Sequence, residues 1–327
     1  MAETKPLIFT MLGPSGSGKT SMLACMNREL ESMIPGTFYP DRRTFGILED
    51  AYQRLKESAN PSTLNISEVK NTEDMTSFDF KIKGNKNIMP VRFFDFPGRW
   101  IARSAADQDY NQVIKLMKQS LVFIVAVDTP YLMEQGGKYA EQAAIRDVEL
   151  MIKEVIGESD KQERLILLVP IKCEKYMESW SSTQTLKQAV MNAFHDIIKI
   201  GQETYKGKLA IAIVPINTMG NVKFSYLKTA GGRAVEQVFM KVNGKTFSPE
   251  YTDQPLRFAM SFLFEQFRKQ QKRSKSIWRK MFHFVCVWDW EFFSPDNMPD
   301  IAKYVRSGIS SGSSRNEIIC GKELMGV

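Results

Sequence analysis

Near the N-terminus, Gly13-Pro14-Ser15-Gly16-Ser17-Gly18-Lys19-Thr20 fits the pattern G-x-x-x-x-G-K-[ST], with an apolar run before it and a helix-forming stretch after it. The run Leu7-Ile8-Phe9-Thr10-Met11-Leu12 ends at the glycine, and Ser21 to Ser32 is rich in helix formers, so the chain opens strand, loop, helix. The glycines allow a tight path in which successive N–H groups face one concavity. A helix N-terminus adds its positive end, so the segment is built to hold phosphate. Gly13, Ser15, Gly16, Ser17, Gly18 and Ser21 supply the cradle, Lys19 reaches toward the β- and γ-phosphates, and the Thr20 hydroxyl is a ligand for Mg²⁺. The alternative is a glycine-rich turn that matches by coincidence.

A strand–loop–helix opening constrains the rest of the chain. Phe45 to Glu57 has helical spacing and ends in the breaker-rich Ser58-Ala59-Asn60-Pro61-Ser62. Ser77 to Lys83 alternates as a half-buried strand does, Val91 to Phe94 is a second strand, and Gly84-Asn85 between them predicts an antiparallel pair. Leu121 to Val127, Leu165 to Val169 and Leu209 to Val214 are apolar without alternation, the mark of strands covered on both faces. Helical stretches over Lys138 to Ile156 and Thr183 to Ile200 separate them. The expected fold is α/β, a doubly wound, mostly parallel sheet with helices on both faces, followed by a C-terminal α+β extension. Residues 1–220 form the nucleotide domain in this reading, 221–306 a hairpin and a basic helical extension, and 307–327 a flexible tail beginning in Ser-Gly-rich sequence.

Charge and cysteine content narrow the setting. The formal charge of +7 is concentrated between Arg257 and Val285, where eight basic residues face one acid, Glu265. The basic segment 268–280 suits nucleic-acid phosphates, an anionic membrane surface or plain solvation, and the aromatic segment 281–293 suits a membrane interface, a partner groove or a core. Cys25, Cys173, Cys286 and Cys320 are far apart, with no CxxC pair, so a disulfide framework or zinc site is not expected. With an N-terminus that lacks a signal-peptide pattern and no apolar run near the roughly 18 residues of a bilayer span, a cytoplasmic protein, peripheral to a membrane at most, is expected. His195 lies among apolar residues with no catalytic partner and reads as structural. Asp128, Thr129 and Glu134 follow the fourth strand, near the nucleotide edge, and read as turn residues that could also touch ligand.

Phe93-Phe94-Asp95-Phe96-Pro97-Gly98 places D-x-x-G at a strand end. There Asp95 can hold a metal through water, and the Gly98 N–H can meet a γ-phosphate and report its loss. With these two motifs, residues 7 to 220 resemble the P-loop GTPases of the class that includes Ras-like and translation-factor proteins. The resemblance implies GTP/GDP and Mg²⁺ as ligands and a base-reading motif N-K-x-D after the next-but-one strand. Here that place reads Val169-Pro170-Ile171-Lys172-Cys173-Glu174: the lysine is kept, Glu174 replaces Asp and Ile171 replaces Asn. A glutamate still accepts the paired hydrogen bonds of guanine N1–H and N2–H₂, which adenine does not offer. A solvated Lys/Glu turn is the competing reading. Asn217 and Thr218 occupy the place where the family's last loop contacts the base oxygen. The combination of V-P-x-K-C-E with D-x-P-G is also similar to the bacterial double-GTPase-like group, whose members are often encoded beside partner proteins in multicomponent systems, some implicated in defence against phages.

The family also uses a mobile threonine on Mg²⁺ and the γ-phosphate. Thr63, in the loop after the extra helix, is the first choice for this metal-contacting and catalytic role, ahead of Thr44 and Thr37. Where Ras-like proteins carry a water-orienting glutamine, this chain has Arg99, which cannot accept a proton, so slow hydrolysis is expected. Arg99 and Arg103 are alternatively charge stabilisers for the transferring phosphoryl group, or plain surface arginines. The reading that results is a guanine-nucleotide switch acting on protein partners, with a homo- or hetero-oligomer possible. A P-loop ATPase or nucleotide kinase, or a nucleotide-bound structural subunit with little turnover, are the alternatives.

Overall fold

Apolar runs without alternation become the parallel centre of an eight-stranded sheet, because each residue along them meets a core on one face or the other. The structure, a computed structural model, describes residues 6–59, 74–85, 88–101, 106–158, 162–230, 233–274, 297–308 and 315–326. The N-terminal half comprises β1 (Leu7–Leu12), α1 (Lys19–Met33), β2 (Phe38–Pro40), α2 (Arg42–Ser58), β3 (Thr76–Lys83), β4 (Ile88–Asp95), α3 (Gly98–Ile101), α4 (Asp107–Gln119), β5 (Val122–Asp128), α5 (Thr129–Met133) and α6 (Ile145–Glu158). Then come β6 (Arg164–Ile171), α7 (Trp180–Ala193), α8 (His195–Glu203), β7 (Leu209–Ile213), β8 (Val222–Ala230), β9 (Arg233–Lys241), α9 (Gln254–Ser274), α10 (Pro299–Gly308), β10 (Glu317–Cys320) and α11 (Lys322–Met325).

The strand order is β10-β7-β6-β5-β1-β4-β3-β2. Strands β7, β6, β5, β1 and β4 are parallel, while β3, β2 and β10 are antiparallel additions at the edges. Period-two alternation sorts the side chains. Along β5, Val122, Ile124 and Ala126 join one core with α1, α2 and α9, and Phe123, Val125 and Val127 join the other with α4, α6, α7 and α8. Both faces are covered, as a doubly wound fold requires.

Three local expectations are corrected. The helix expected from Lys138 becomes α only at Ile145, because Gln135, Gly136, Gly137 and Ala144 all take positive φ and turn the chain first. The helix expected over Thr183 to Ile200 is two, broken at the buried Phe194, and the Glu149 carboxylate of α6 accepts the Ile197 N–H (3.2 Å) at the start of the second. His195 there is largely exposed rather than held in the apolar face. The tail expected to be loose is partly structured: β10 pairs with β7, and Leu324 and Met325 of α11 are fully buried.

The extension also shares the main core. Leu256, Phe258, Phe262 and Leu263 of α9 lie in one cluster with Leu7, Phe9 and Met22, so the anticipated boundary near residue 220 is not a boundary between cores. Among the described residues no helix is long and apolar enough to cross a membrane.

Arg164, the first residue of β6, is 1% exposed and donates to the carbonyls of Met117 (3.0 Å), Ser120 (2.5 Å) and Lys118 (3.2 Å) at the end of α4. Burial pulls its pKa down to about 10. Arg164→Leu strands those carbonyls, so unfolding in urea should show a loss of about 3 kcal/mol. A change below about 0.5 kcal/mol would contradict that role.

Candidate nucleotide site

The phosphate loop joins the end of β1 to α1, at the edge of the sheet where β4 ends in Asp95 and β5 in Asp128. Its conformation needs glycine. Gly13 has φ +143°, and a Cβ there would lie 2.6 Å from the carbonyl oxygen of Ala126 in β5. Gly18 is left-handed, and among the described residues no side chain caps α1, so its first N–H groups are open to an anion.

Lys19 is 5% exposed and donates to the carbonyls of Gly13 (3.1 Å) and Pro14 (3.3 Å), with its ammonium 3.6 Å from Asp95 Oδ1. Burial depresses its pKa, and the Asp95 charge opposes that shift. Thr20 Oγ1 donates to Asp95 Oδ2 at 2.8 Å. Among the described residues the buried Ser17 hydroxyl has no hydrogen-bond partner. Hydroxyl and carboxylate oxygens brought together beside a phosphate cradle fit a hard divalent cation that completes its shell with phosphate and water. Among the described residues no group of three or more His, Cys, Asp or Glu side chains could hold a metal by itself.

Gly98 opens α3 against this loop. A Cβ on it would overlap the amide nitrogen of Ser15, so only glycine lets the D-x-x-G segment lie on the phosphate loop. Arg99 is exposed and does not line the cavity. Thr63 and Arg103 lie outside the described residues. The two other threonine candidates are used elsewhere. Thr44 is 1% exposed, with its Oγ1 accepting the Asp79 N–H (2.8 Å) and its own N–H bound to the Asp41 carboxylate. Thr37 accepts the Lys83 N–H on its backbone carbonyl (2.7 Å), at the end of β3 remote from the Thr76–Asp95 pairing and hence from the phosphate loop.

A cavity of about 370 Å³ extends from the phosphate loop to Lys172, Glu174 and Thr218. Residues 172–174 follow β6, and Lys172 is left-handed (φ 56°). Glu174 is 8% exposed, and the Met219 and Gly220 N–H groups lie beside its carboxylate, which sets residues 172–174 next to the loop after β7. Burial nonetheless raises its pKa to about 7. Thr218 lines the cavity; Asn217 instead pairs in both directions with Glu250 through backbone (3.0 and 2.8 Å).

Residues 8–210 match the family described as Double-GTPase 2. The chain belongs to this family of P-loop GTPases. No curated protein matches it. Solved structures similar to it include the signal recognition particle receptor SRb in its GTP/SRX complex from Chaetomium thermophilum, at 14% identity and TM-score 0.39, covering 67% of this chain and 93% of that one. The bacterial selenocysteine-specific elongation factor EF-Sec aligns at 15% identity and TM-score 0.32, covering 65% of this chain and 26% of that one. The GTP-bound Ski7 GTPase-like domain of S. cerevisiae aligns at 14% and 0.35, covering 66% and 44%.

This Double-GTPase 2 chain adds walls to the site that sequence motifs did not announce. Arg54 and Leu55 come from α2, Tyr131 from α5, and Gln237 and Phe239 from β9. Asp128 is 1% exposed and bonded to Lys172, which makes it part of the site's framework rather than a turn residue. Glu134 accepts from Lys175 (2.8 Å) and Tyr176 (2.6 Å), next to residues 172–174. Among the described residues, none of the basic segment lines this cavity. Arg268 and Lys269 form ion pairs with Glu265 and Glu163, and residues 275–296, with the aromatic segment, lie outside the described residues.

Proposed function

We propose that the chain is a guanine-nucleotide switch that binds Mg·GTP, hydrolyses it slowly and signals the difference to protein partners. The observation that carries this reading is one cavity with the Thr20–Asp95 pair at one end and the Lys172–Glu174 pair at the other, spaced by a phosphate loop. Mg²⁺, held by Thr20 and through water by Asp95, would neutralise charge on the phosphates. Lys19 and the N–H groups of Gly16, Gly18 and Thr20 orient the phosphate chain, and Glu174 selects guanine by accepting from N1–H and N2–H₂.

In this reading Gly98 is the sensor: its N–H meets the γ-phosphate, and the close approach of Gly98 to Ser15 supports coupling between the phosphate loop and α3. Thr63 remains the proposed second sensor: the segment preceding β3 enters at Thr76, which pairs with Asp95. Arg99 offers no acceptor for the proton of an attacking water, so water is positioned by another residue or a partner, and turnover without one is slow. Hydrogen exchange over Phe96 to Ile101, measured with GDP and with a non-hydrolysable GTP analogue, should differ by at least roughly tenfold in protection. Identical profiles would argue against a switch.

A further inference from the structure

The hairpin β8–β9 stands between the last base-contacting loop and α9, and one of its side chains closes a triangle at the nucleotide site. Gln237 Oε1 accepts from Lys172 Nζ at 2.8 Å, Gln237 Nε2 donates to Asp128 Oδ1 at 2.6 Å, and Lys172 Nζ donates to Asp128 Oδ2 at 2.7 Å. Each of the three side chains holds the other two. An amide suits the position, because it must present an acceptor to an ammonium and a donor to a carboxylate at once. Asp128 is buried, so these are charge-assisted bonds partly shielded from water. Lys172, the residue held, is also the one whose backbone takes the left-handed conformation. Phe239, two residues further along β9, lines the same cavity together with Val222 of β8.

We infer that the β8–β9 hairpin is part of the nucleotide site and that Gln237 is a positioning residue, locking Lys172 against Asp128 so that its stem forms one wall of the base pocket. The inference rests on the reading of residues 172–174 as the base-contacting segment. An interaction between the hairpin and that segment couples nucleotide occupancy to the extension. A bound base packed on the Lys172 stem stabilises the triangle, and a triangle already formed slows the base's departure.

The test is dissociation of fluorescent GDP from the full chain in stopped flow, for the wild type, Gln237→Leu, Lys172→Met and the double variant. Gln237→Leu is isosteric enough to keep the hairpin, and thermal melting of each variant reports folding. Release should be about tenfold faster in Gln237→Leu, and the substitution should have no further effect in the Lys172→Met background, because Gln237 acts through that lysine. Gln237→Glu, which sets a carboxylate against Asp128, should also speed release although it could still pair with Lys172. Release from Gln237→Leu within twofold of wild type, or additive effects in the double variant, overturns the inference. Base selectivity of Glu174→Ala is read separately. If that variant binds guanine as the wild type does, the reading of residues 172–174 has failed, whatever Gln237 does.

Discussion

Lys19→Met should lower GTP and GDP affinity roughly a thousandfold, about 4 kcal/mol, while the protein stays folded. The side chain is pre-placed, with its stem buried and its ammonium held by two carbonyls of the loop and by Asp95. Desolvation already costs this ammonium, as its depressed pKa records, and the polyanion repays that cost only in the bound state. Removing a charged partner from a buried cluster forfeits the full interaction with the phosphates. Methionine keeps the stem volume, so the effect belongs to the charge. Titration of the variant with a fluorescent guanine nucleotide checks this; a loss below tenfold would mean that the backbone cradle alone holds the phosphates.

Guanine affinity should fall as pH drops below about 7, by about tenfold between pH 7.5 and 6. The carboxylate of Glu174 is buried, which raises its pKa to about 7 in the free protein, with Lys172 nearby and the Met219 and Gly220 N–H groups only partly offsetting the burial. A guanine ring offers two donors and needs the ionised form, so the bound state depresses this pKa and binding near neutrality releases a proton. Calorimetry in buffers of different ionisation enthalpy measures that release directly. For the fold the sign is the opposite. The folded-state pKa lies above the unfolded one, so this group's contribution to stability is fully present below the ordinary carboxylate range and is lost as pH rises through about 7. Nucleotide-free protein should therefore lose stability from this group between about pH 4.5 and 7, while its guanine affinity rises. A Glu174→Gln variant should show neither dependence.

Legibility in the sequence followed the range of the interaction. The phosphate loop, the central strands and the antiparallel β3–β4 pair were readable because local spacing encodes them: a glycine pattern, unbroken apolar runs, an alternation ending at Gly84-Asn85. The end of the 138–156 helix pattern was readable but its start was not, since the left-handed Ala144 is an alanine that local propensity would place in a helix. β10 is four residues without alternation, and only its pairing with β7 makes it a strand. At the site, the motif residues Lys19, Thr20, Asp95 and Glu174 were legible, while Asp128 and Gln237 were not assigned their role. Their function is a contact between positions 109 residues apart, and no spacing announces it. Thr44 has the residue type of a switch threonine, and only the fold shows that the Asp79 N–H occupies its hydroxyl.

The measurement that tests the central claim most directly is competition of unlabelled GTP, GDP and ATP against a fluorescent guanine nucleotide, with Mg²⁺, on the wild type and on Glu174→Ala. The account predicts guanine preference of at least about a hundredfold over ATP in the wild type, reduced to near parity in the variant through loss of guanine affinity. Equal or preferential binding of ATP by the wild type would contradict it, leaving the phosphate loop in place and pointing to an ATPase or kinase.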